Sequence, residues 1–420
     1  MSHQSPSALG SLANDDYDLF PELATTLYCW VERLYQTVVA KRIEQVFFLS
    51  REGQPLKRMF DAYCARMGVS VESLYLEVSR RSTLLPSLSA LGSEQFETLF
   101  RQYRRMSLLE FLSSLGLEGH CGAFVEALGL PAGAEERRED DFPTSALFQR
   151  LKTLPLFVDI FETERLGRRD VFIRYLTDLA GGALPERLVI VDVGWKGTIQ
   201  DNLFALLCKA GDLPVKSVEG YYVGLVASGA TRPNNIKQGL LFSCVGERSP
   251  HFHVFNENRA LFEVILAADH GSVVSYEFDM PGRACPVRGP FEEEAMLVRE
   301  VFPVLRLLFA RFNELLLRVE GANSLQFRDV VKAHARMVFN PTRREMAWFS
   351  SVFHVENYGV FERSHFGCDG QPPGPIDRLK FLIGLRRRGL GALGFWPWRT
   401  LHERGGALTA AAYAMIRQAQ

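Results

Sequence analysis

The sequence predicts an α/β fold built on a parallel β-sheet, and three short segments carry that prediction. Each is an apolar run of strand length that ends in polar residues, and an apolar pattern at helical spacing follows the first and third runs. The three runs are residues 46–49, 74–78 and 188–191. Because the carboxyl ends of parallel strands lie along one edge of a sheet, we expect the polar residues that follow these runs to meet there.

The first run ends in a polar loop that contains a glycine and leads into an amphipathic helix. The loop residues are Ser50, Arg51, Glu52 and Gly53. The planar guanidinium of Arg51 could bind a phosphate or pyrophosphate through two parallel hydrogen bonds. Glu52 supplies an acid of the kind that general-base chemistry needs. An ordinary turn with a surface Arg–Glu pair is the alternative interpretation.

The second run ends in two adjacent arginines that are flanked by hydroxyl-bearing residues. The sequence over residues 79–83 is Ser79, Arg80, Arg81, Ser82 and Thr83. This composition suits an anion, so we expect Arg80 and Arg81 in a loop beside the same ligand. A solvated basic turn would have the same composition.

The third run, residues 188–191, ends at Asp192 and continues into a short loop before the next helix. The loop residues are Gly194, Trp195, Lys196, Gly197 and Thr198. A glycine-rich turn into a helix exposes backbone N–H groups and the positive end of the helix dipole to a phosphate. Asp192 could accept hydrogen bonds from the hydroxyls of the sugar that carries the phosphate. The segment therefore indicates a sugar-phosphate site, and a plain turn in which Asp192 caps the helix is the alternative.

The three segments together resemble a known family. Residues 188–198 resemble the loop of type I phosphoribosyltransferases that binds phosphoribosyl pyrophosphate (PRPP), and residues 50–53 stand where that fold has its pyrophosphate loop. A closer resemblance is to a bacterial group often labelled predicted HAD-superfamily hydrolases. Its hallmarks are matched here by residues 50–53, 75–81 and 192–200, and by a segment from Glu263 through His270 to Tyr276.

That resemblance implies a fold and a function. Members of the group are implicated as glycosyltransferases that transfer 5-phosphoribofuranose from PRPP to bacterial surface polysaccharides such as O-antigen or capsule. It implies a Rossmann-like parallel sheet of the type I phosphoribosyltransferase kind, a glycan acceptor that can be lipid-linked, and a partner HAD phosphatase that removes the 5-phosphate. Mg²⁺ would be carried with PRPP, with no separate protein metal site.

The resemblance also implies residue roles. The loop 194–198 would hold the 5-phosphate, and Asp192 the ribose hydroxyls. Ser50, Arg51 and Gly53 would hold the pyrophosphate, with Glu52 as the candidate base. The sequence contains no Asp-x-Asp-x-(Thr/Val) nucleophile loop of the HAD phosphatase kind. A sugar-phosphate phosphatase or hydrolase and a non-catalytic scaffold of a glycan assembly complex remain the alternatives.

The segment 258–276 is a further candidate. Its apolar residues predict a mostly buried helix that carries Glu263 and ends near His270. A buried carboxylate needs a partner, so structural pairing is one interpretation. Acceptor binding or base catalysis by Glu263 and His270 is the other.

Changes in composition divide the chain into five parts. We expect a disordered N-terminus, a first part of the α/β core, a helical insertion that caps the ligand edge of the sheet, a second part of the core with the PRPP loop, and a helical C-terminal region. Their ranges are residues 1–16, 17–83, 84–180, 181–280 and 281–420.

Charge and cysteine usage limit the function classes. The 420 residues carry a formal net charge of −1, which argues against general nucleic-acid binding. The seven cysteines are dispersed and show no spacing typical of zinc sites or disulfide frameworks. We therefore expect reduced thiols and a cytoplasmic location.

The C-terminal segment 378–399 interleaves basic residues with aromatic ones. Arg386, Arg387 and Arg388 lie close in sequence to Trp396 and Trp398. Basic residues with interfacial aromatics can dock on anionic membranes, so we expect peripheral contact with the inner face of the membrane. A packed helical domain with a basic face is the alternative. No run of about 18 uninterrupted apolar residues predicts a membrane span.

Overall fold

The computed structural model describes most of the chain. The described residues are 17–101, 103–208, 211–229, 232–279, 282–318, 325–357, 361–365 and 374–420, without the side chains of 354–357 and 361–365. The predicted disordered segment 1–16 lies outside these residues.

Five parallel strands form the central sheet, in the order β2-β1-β3-β4-β5. They are β1 Gln45–Leu49, β2 Glu72–Leu76, β3 Arg187–Asp192, β4 Ser217–Leu225 and β5 Asn235–Ser243. The predicted parallel α/β sheet is therefore confirmed, and the fold is compatible with a Rossmann-like architecture. β1 pairs directly with β3 through Phe47 beside Ile190 and Phe48 beside Val191. The first and third predicted strands are thus neighbours.

Of the helices in the first half, α1 and α2 pack against one face of the sheet. Their bounds are α1 Leu23–Ala40, α2 Gly53–Met67, α3 Arg80–Ser87, α4 Glu97–Phe100, α5 Leu108–Leu115, α6 Cys121–Ala127, α7 Ala146–Thr153 and α8 Pro155–Leu179. In the described part of the second half, ten α-helices and two antiparallel hairpins follow β3. The helices are α9 Thr198–Cys208, α10 Phe252–Asn256, α11 Ala260–Ile265, α12 Glu294–Met296, α13 Phe302–Arg318, α14 Phe327–Phe339, α15 Arg343–Ser351, α16 Pro375–Arg388, α17 Pro397–Gly405 and α18 Ala407–Ala419. The hairpins pair β6 Val273–Phe278 with β7 Ala284–Arg288, and β8 Phe353–Asn357 with β9 Phe361–His365.

The central strands β1 and β3 bury both faces, as inner strands of a parallel sheet do. Alternate side chains of β1 point to opposite sides: Val46 and Phe48 join the apolar cluster that contains α1 and α2, whereas Phe47 and Leu49 join the cluster that contains α8 and α9. The first cluster continues into the C-terminal helices α13 to α18. The helix after β1 and the helix after β3 therefore lie on opposite faces of the sheet.

The chain between β2 and β3 builds a core of its own, rich in phenylalanine. Its fully or almost fully buried rings are Phe96, Phe100, Phe111, Phe124, Phe142, Phe148, Phe157 and Phe161. The 25-residue helix α8 joins this core to the sheet. Its first half contributes Phe157 and Phe161 to the phenylalanine core, and its second half contributes Phe172 to the sheet core.

Two local expectations are wrong, and a third is incomplete. Residues 79–83 form a helix start and not a loop, because Ser79 and Ser82 cap each other's backbone N–H groups. The segment 258–276 is not one helix: α11 ends at Ile265, and residues 273–278 pair with β7 as a strand. The region 281–420 is mainly helical but contains strands β7, β8 and β9.

The buried side chain of Gln200 on α9 forms hydrogen bonds to strands β4 and β5 of the sheet. Its fully buried amide nitrogen donates to Asn235 Oδ1 and to the carbonyl oxygen of Ile236, each at 2.8 Å. Its amide oxygen accepts from Tyr222 Oη at 2.7 Å. Gly220 leaves the necessary space, since a Cβ there would lie 1.9 Å from Gln200 Oε1. The helix that follows the third strand is therefore tied to both β4 and β5.

We expect Gln200→Met to destabilise the protein by ~2–4 kcal/mol, because Met keeps the length but leaves buried hydrogen-bonding groups without partners. Urea unfolding followed by circular dichroism measures the change. Gln149→Met is the matched control, since Gln149 makes one exposed hydrogen bond to the carbonyl oxygen of Pro143. Equal unfolding midpoints for the two variants would contradict a structural role for Gln200.

Candidate functional site

A cavity of about 680 Å³ opens at the carboxyl edge of the sheet, where β1 and β3 end. The order of the strands reverses at this point, and ligands of open α/β sheets bind at such switch points. Eleven of the residues predicted from the sequence line the cavity: Ser50, Arg51, Glu52, Arg80, Asp192, Gly194, Trp195, Lys196, Gly197, Thr198 and Glu263. The loops after β1 and β3 are thus brought together around one space.

The loop after β3 rests directly on its neighbouring strands, and this requires its two glycines. Gly194 has φ +138°, and a Cβ there would lie 2.3 Å from the carbonyl oxygen of Gly224 in β4. Gly197 has φ +66°, and a Cβ there would lie 2.8 Å from Lys237 Cε of β5. A side chain at either position would displace the loop, so the backbone itself forms this wall of the cavity.

A buried ion pair supports the same loop from below. Lys237 Nζ lies 2.6 Å from Asp201 Oδ1, and the lysine side chain is 2% exposed. The ammonium also lies 3.4 Å from the carbonyl oxygens of Lys196 and Ser228. Burial lowers the pKa of Lys237, and Asp201 opposes that change. Lys237 therefore joins the start of α9, the loop and the connection between β4 and β5.

Trp195 connects the loop to α11. Its indole nitrogen donates to Glu263 Oε1 at 2.8 Å, and its ring stacks on Phe242 with centroids 5.8 Å apart. The guanidinium of Arg259 lies 5.4 Å from the centroid of the Trp195 ring. Glu263 therefore has the structural partner of the first interpretation and also lines the cavity, as the second interpretation expects for this residue.

The loop after β1 is held by polar contacts of its own. Ser50 Oγ donates to the carbonyl oxygen of Val78 at 2.7 Å and accepts from its N–H at 3.0 Å. Arg51 forms a two-pronged ion pair with Glu293, with N–O distances of 2.7 and 3.2 Å. The guanidinium assigned to pyrophosphate thus already contacts a carboxylate. Gly53 does not line the cavity. It is the first residue of α2, and a Cβ there would lie 2.9 Å from the carbonyl carbon of Phe48, so the helix can start this close to β1 because the residue is glycine.

Glu52 and Asp192 form a pair of poorly solvated acids. Burial, followed by the negative charge of Glu52, raises the pKa of Asp192 well above its usual value. Burial likewise raises the pKa of Glu52, although the charges of Arg51 and Arg80 oppose that change. The carboxylate of Asp192 accepts a hydrogen bond from the backbone N–H of Val193 at 2.8 Å. Two such acids suit the hydroxyls of a sugar or a cation-bearing polyphosphate, each of which would relieve their mutual repulsion.

The two adjacent arginines separate. Arg80 lines the cavity at the first turn of α3, whereas Arg81 points away and forms an ion pair with Glu118. Ser79, the N-cap of α3, also lines the cavity. Residues at the N-terminal ends of α2, α3 and α9 therefore converge on one space, where the helix dipoles favour an anion.

His270 does not line the cavity. Its side chain is 6% exposed, and Nε2 lies 2.8 Å from Tyr75 Oη. Nδ1 lies 2.9 Å from the carbonyl oxygen of Gly271, an acceptor, so this nitrogen carries the proton. The structure thus places His270 between β2 and the β6 hairpin, where both ring nitrogens have partners.

The described residues contain no group of three or more His, Cys, Asp or Glu side chains that could hold a metal ion. Four acids line the cavity: Glu52, Asp192, Glu257 and Glu263. Glu52 and Asp192, the pair that follows β1 and β3, fit a cation only if the ligand supplies further oxygens. This donor set is compatible with Mg²⁺ that arrives on a polyphosphate.

The C-terminal region covers the cavity, which the sequence did not indicate. Residues 84–180 contribute nothing to the described lining, although they were expected to cap this edge. The lining residues that sequence reasoning missed include Asn256, Glu257, Arg259, Phe395 and Arg417. Trp396 and Trp398 are buried, so they are not interfacial anchors. The aromatic run at residues 394–398 was a sequence signal that this region is buried, but its composition does not indicate what it packs against.

Glu257 fixes this C-terminal cover in place. Its carboxylate accepts from the backbone N–H of Trp398 at 2.6 Å and from Tyr413 Oη at 2.8 Å. The first contact holds the start of α17, and the second holds α18. Burial raises the pKa of Glu257 to about 7, and its two hydrogen bonds oppose the shift.

We expect Glu257→Gln to change the pH dependence of stability. With a folded-state pKa of about 7, the carboxyl group contributes stability below pH ~4.5 that is lost as pH rises to 7. The free energy of unfolding of the wild type, relative to Glu257→Gln, should therefore fall by roughly 3 kcal/mol over that window. Urea titrations at several pH values test this, with the exposed Glu126→Gln as control. A difference that does not vary with pH would contradict the assignment.

Comparison with known proteins does not name a family. No family model matches the chain, and no curated protein matches it.

Proposed function

We propose that the protein is a phosphoribosyltransferase that transfers 5-phosphoribofuranose from PRPP to a sugar hydroxyl of a growing bacterial surface polysaccharide and releases pyrophosphate. The observation that carries this proposal is the convergence of three helix N-termini and two desolvated acids at the switch point of a parallel sheet. PRPP combines two anionic ends with a polyhydroxylated ring, which is the chemistry that these groups complement. The sheet would then be of the type I phosphoribosyltransferase kind.

The geometry supports one orientation of the donor. The 5-phosphate would occupy the N-terminus of α9, cradled by the backbone of residues 194–198. Asp192 would accept hydrogen bonds from the ribose hydroxyls. The pyrophosphate would then lie toward the loop after β1 and the start of α3, where Arg80 adds a positive charge.

Pyrophosphate departure is the step that this arrangement can assist. The bond between the anomeric carbon and the pyrophosphate oxygen breaks with its electron pair going to pyrophosphate, and the acceptor oxygen forms the new bond on the opposite face. Positive charges that are already in position stabilise the growing negative charge on the leaving group. Because Glu293 holds Arg51, we assign Arg51 the role of a fixed charge rather than a free two-pronged clamp. Mg²⁺, when bound with PRPP, would neutralise further pyrophosphate charge.

The acceptor hydroxyl must lose its proton in the same step. Glu52 is the base that we propose, since its raised pKa makes its carboxylate a better proton acceptor than an ordinary glutamate. The product would be a β-linked 5-phosphoribofuranoside, which leaves a phosphate ester for a separate HAD phosphatase to remove.

The direct test is incubation with PRPP, Mg²⁺ and candidate glycan acceptors, followed by mass spectrometry. We expect the acceptor to gain one phosphopentose and pyrophosphate to appear in equal amount. Release of phosphate from a phosphorylated glycan without PRPP would instead favour a phosphatase. A folded protein that does not bind PRPP would favour a scaffold.

Arg80 and Arg81 provide a matched pair of variants for the donor site. Arg80→Gln should weaken PRPP binding by roughly 10- to 100-fold, because a hydrogen bond to a charged group contributes ~1.5–3 kcal/mol. Arg81→Gln removes the same charge from the next residue but outside the cavity, so its affinity should stay near that of the wild type. Calorimetric titration with PRPP gives both values. Equal losses in the two variants would indicate a general charge effect and remove Arg80 from the site.

For membrane contact, we propose a surface that differs from the one expected from the sequence. Helix α16 exposes Ile376, Leu379 and Ile383, which are 70%, 61% and 52% exposed and recur on one side of the helix. The exposed residues Arg386–Arg388 end the same helix. An apolar stripe beside three cations complements an anionic lipid surface. None of the described helices is both long enough and apolar enough to pass through a bilayer.

Replacing Arg386, Arg387 and Arg388 with Gln should reduce sedimentation with anionic liposomes, by at most about 1 kcal/mol for each charge. Arg343→Gln combined with Arg344→Gln removes two exposed charges from α15, so its sedimentation shows the effect of lower net charge away from the Arg386–Arg388 sequence. Transfer to a short soluble acceptor should not change. A wild-type protein that ignores anionic liposomes at low salt would refute membrane contact through α16.

A further inference from the structure

Two arginines in the cavity have no role in donor binding as proposed above. They are Arg259, just before α11, and Arg417, in α18. Among the residues that the structure describes, neither pairs with a carboxylate, whereas Arg51 pairs with Glu293. Glu263 and Glu257 act on Arg259 and Arg417 only through their charges and form no ion pair with them. Partly buried guanidinium groups without a direct ionic partner are costly, and an anionic ligand would recover that cost.

Arg259 lies where the donor loop meets the C-terminal cover. Its guanidinium lies over the ring of Trp195, which Glu263 orients. Burial lowers the pKa of Arg259, and the charge of Glu263 opposes that change. No side-chain hydrogen bond from Arg259 to a described residue competes for its donors. The guanidinium therefore faces the cavity with its donors available.

Arg417 approaches the same space from the last helix. Its Nη1 lies 2.9 Å from His253 Nδ1, and its Nε is buried without a partner in the described part of the chain. Burial and the charges of Arg417 and Arg248 lower the pKa of His253, so the imidazole is neutral at pH 7 and accepts from Arg417. The contact positions the guanidinium without neutralising it.

An apolar platform lies beside these two arginines. Phe395 is 52% exposed although it lines the cavity, and Gly391 and Gly394 of the same segment also line it. A Cβ at either glycine would meet nothing within 4 Å. Asn256, also in the lining, has an amide oxygen that is buried without a partner in the described chain. An aromatic ring with polar groups around it matches a sugar ring, whose C–H face packs on the aromatic and whose hydroxyls bond to the rim.

We propose that this part of the cavity is the acceptor subsite and that it binds an acidic sugar residue, one that carries a carboxylate or a phosphate. Arg259 and Arg417 bind the anionic group, Phe395 packs against the sugar ring, and Asn256 accepts a hydroxyl hydrogen. That the bound sugar is the acceptor of a transfer reaction rests on the proposed function. That these side chains bind an acidic sugar is independent of it.

Oligosaccharide binding without PRPP tests the subsite by itself. The probes are a hexasaccharide of alternating glucuronic acid and N-acetylglucosamine, the same hexasaccharide with its carboxyl groups reduced to alcohols, and glucose 1-phosphate. We expect the acidic hexasaccharide or glucose 1-phosphate to bind at least tenfold more tightly than the reduced form. Preference for the first assigns the carboxylate, and preference for the second assigns the phosphate. Equal binding of all three, or no binding, would overturn the proposal.

Variants connect that binding to the named residues. Arg417→Gln should lose at least tenfold in affinity for the acidic probe, and Phe395→Ala should lose affinity for both hexasaccharides. Arg306→Gln, which removes an exposed charge from α13, should bind like the wild type. Thermal unfolding of each variant checks that the fold is intact. Wild-type affinity in Arg417→Gln would overturn its role.

PRPP titration of the same variants separates this inference from the proposed function. Arg417→Gln and Phe395→Ala should bind PRPP like the wild type. If Arg259→Gln loses PRPP binding, then Arg259 belongs to the donor site and its assignment here is overturned. If the wild type binds the acidic probe but not PRPP, the subsite stands and the proposed function falls.

Discussion

The pairing of β1 with β3 is the constraint on which the candidate site depends. These strands are separated in the sequence by a helical region with its own core, yet they are neighbours at the centre of the sheet. Because they are parallel, both end at the same edge, and the helices that follow them leave toward opposite faces. The gap between those helices is the cavity. No local feature of either loop could create it, since each loop supplies only one wall.

The wall of the cavity that residues 194–198 form, which is the donor side under the proposed function, is positioned by polar groups that are buried beneath it. Gln200 and the Lys237–Asp201 pair connect α9, the loop and the two strands beyond it. Buried polar groups are costly unless each one has a hydrogen-bonding partner. The backbone arrangement in which all of them are paired is therefore strongly favoured over others. In the sequence, Gln200 is the last residue of the segment 192–200 that resembles a ligand-binding motif. Its place in the structure is structural support for that loop.

The sequence predicted those parts of the site whose pattern is local. Strands β1, β2 and β3 were predicted because apolar runs end in polar residues, and eleven predicted residues line the cavity. β5 was missed because it follows β4 in parallel after only residues 226–234, a connection too short to suggest a parallel partner. Arg80 and Arg81 could not be told apart, since their separation depends on the direction of α3. The C-terminal cover was missed because only long-range contacts such as that of Glu257 with α17 and α18 bring it there.

The two halves of the cavity differ in how they would respond to evolution. At Gly194 the donor-side wall is main chain against main chain, so almost any substitution there displaces the loop. The other half is formed by side chains from surface helices, and Phe395 and Arg417 border open space. Substitution there would reshape the cavity without moving the sheet. Under the proposed function, substitutions in the C-terminal cover would change which acceptor fits while the part of the cavity assigned to the donor stays the same.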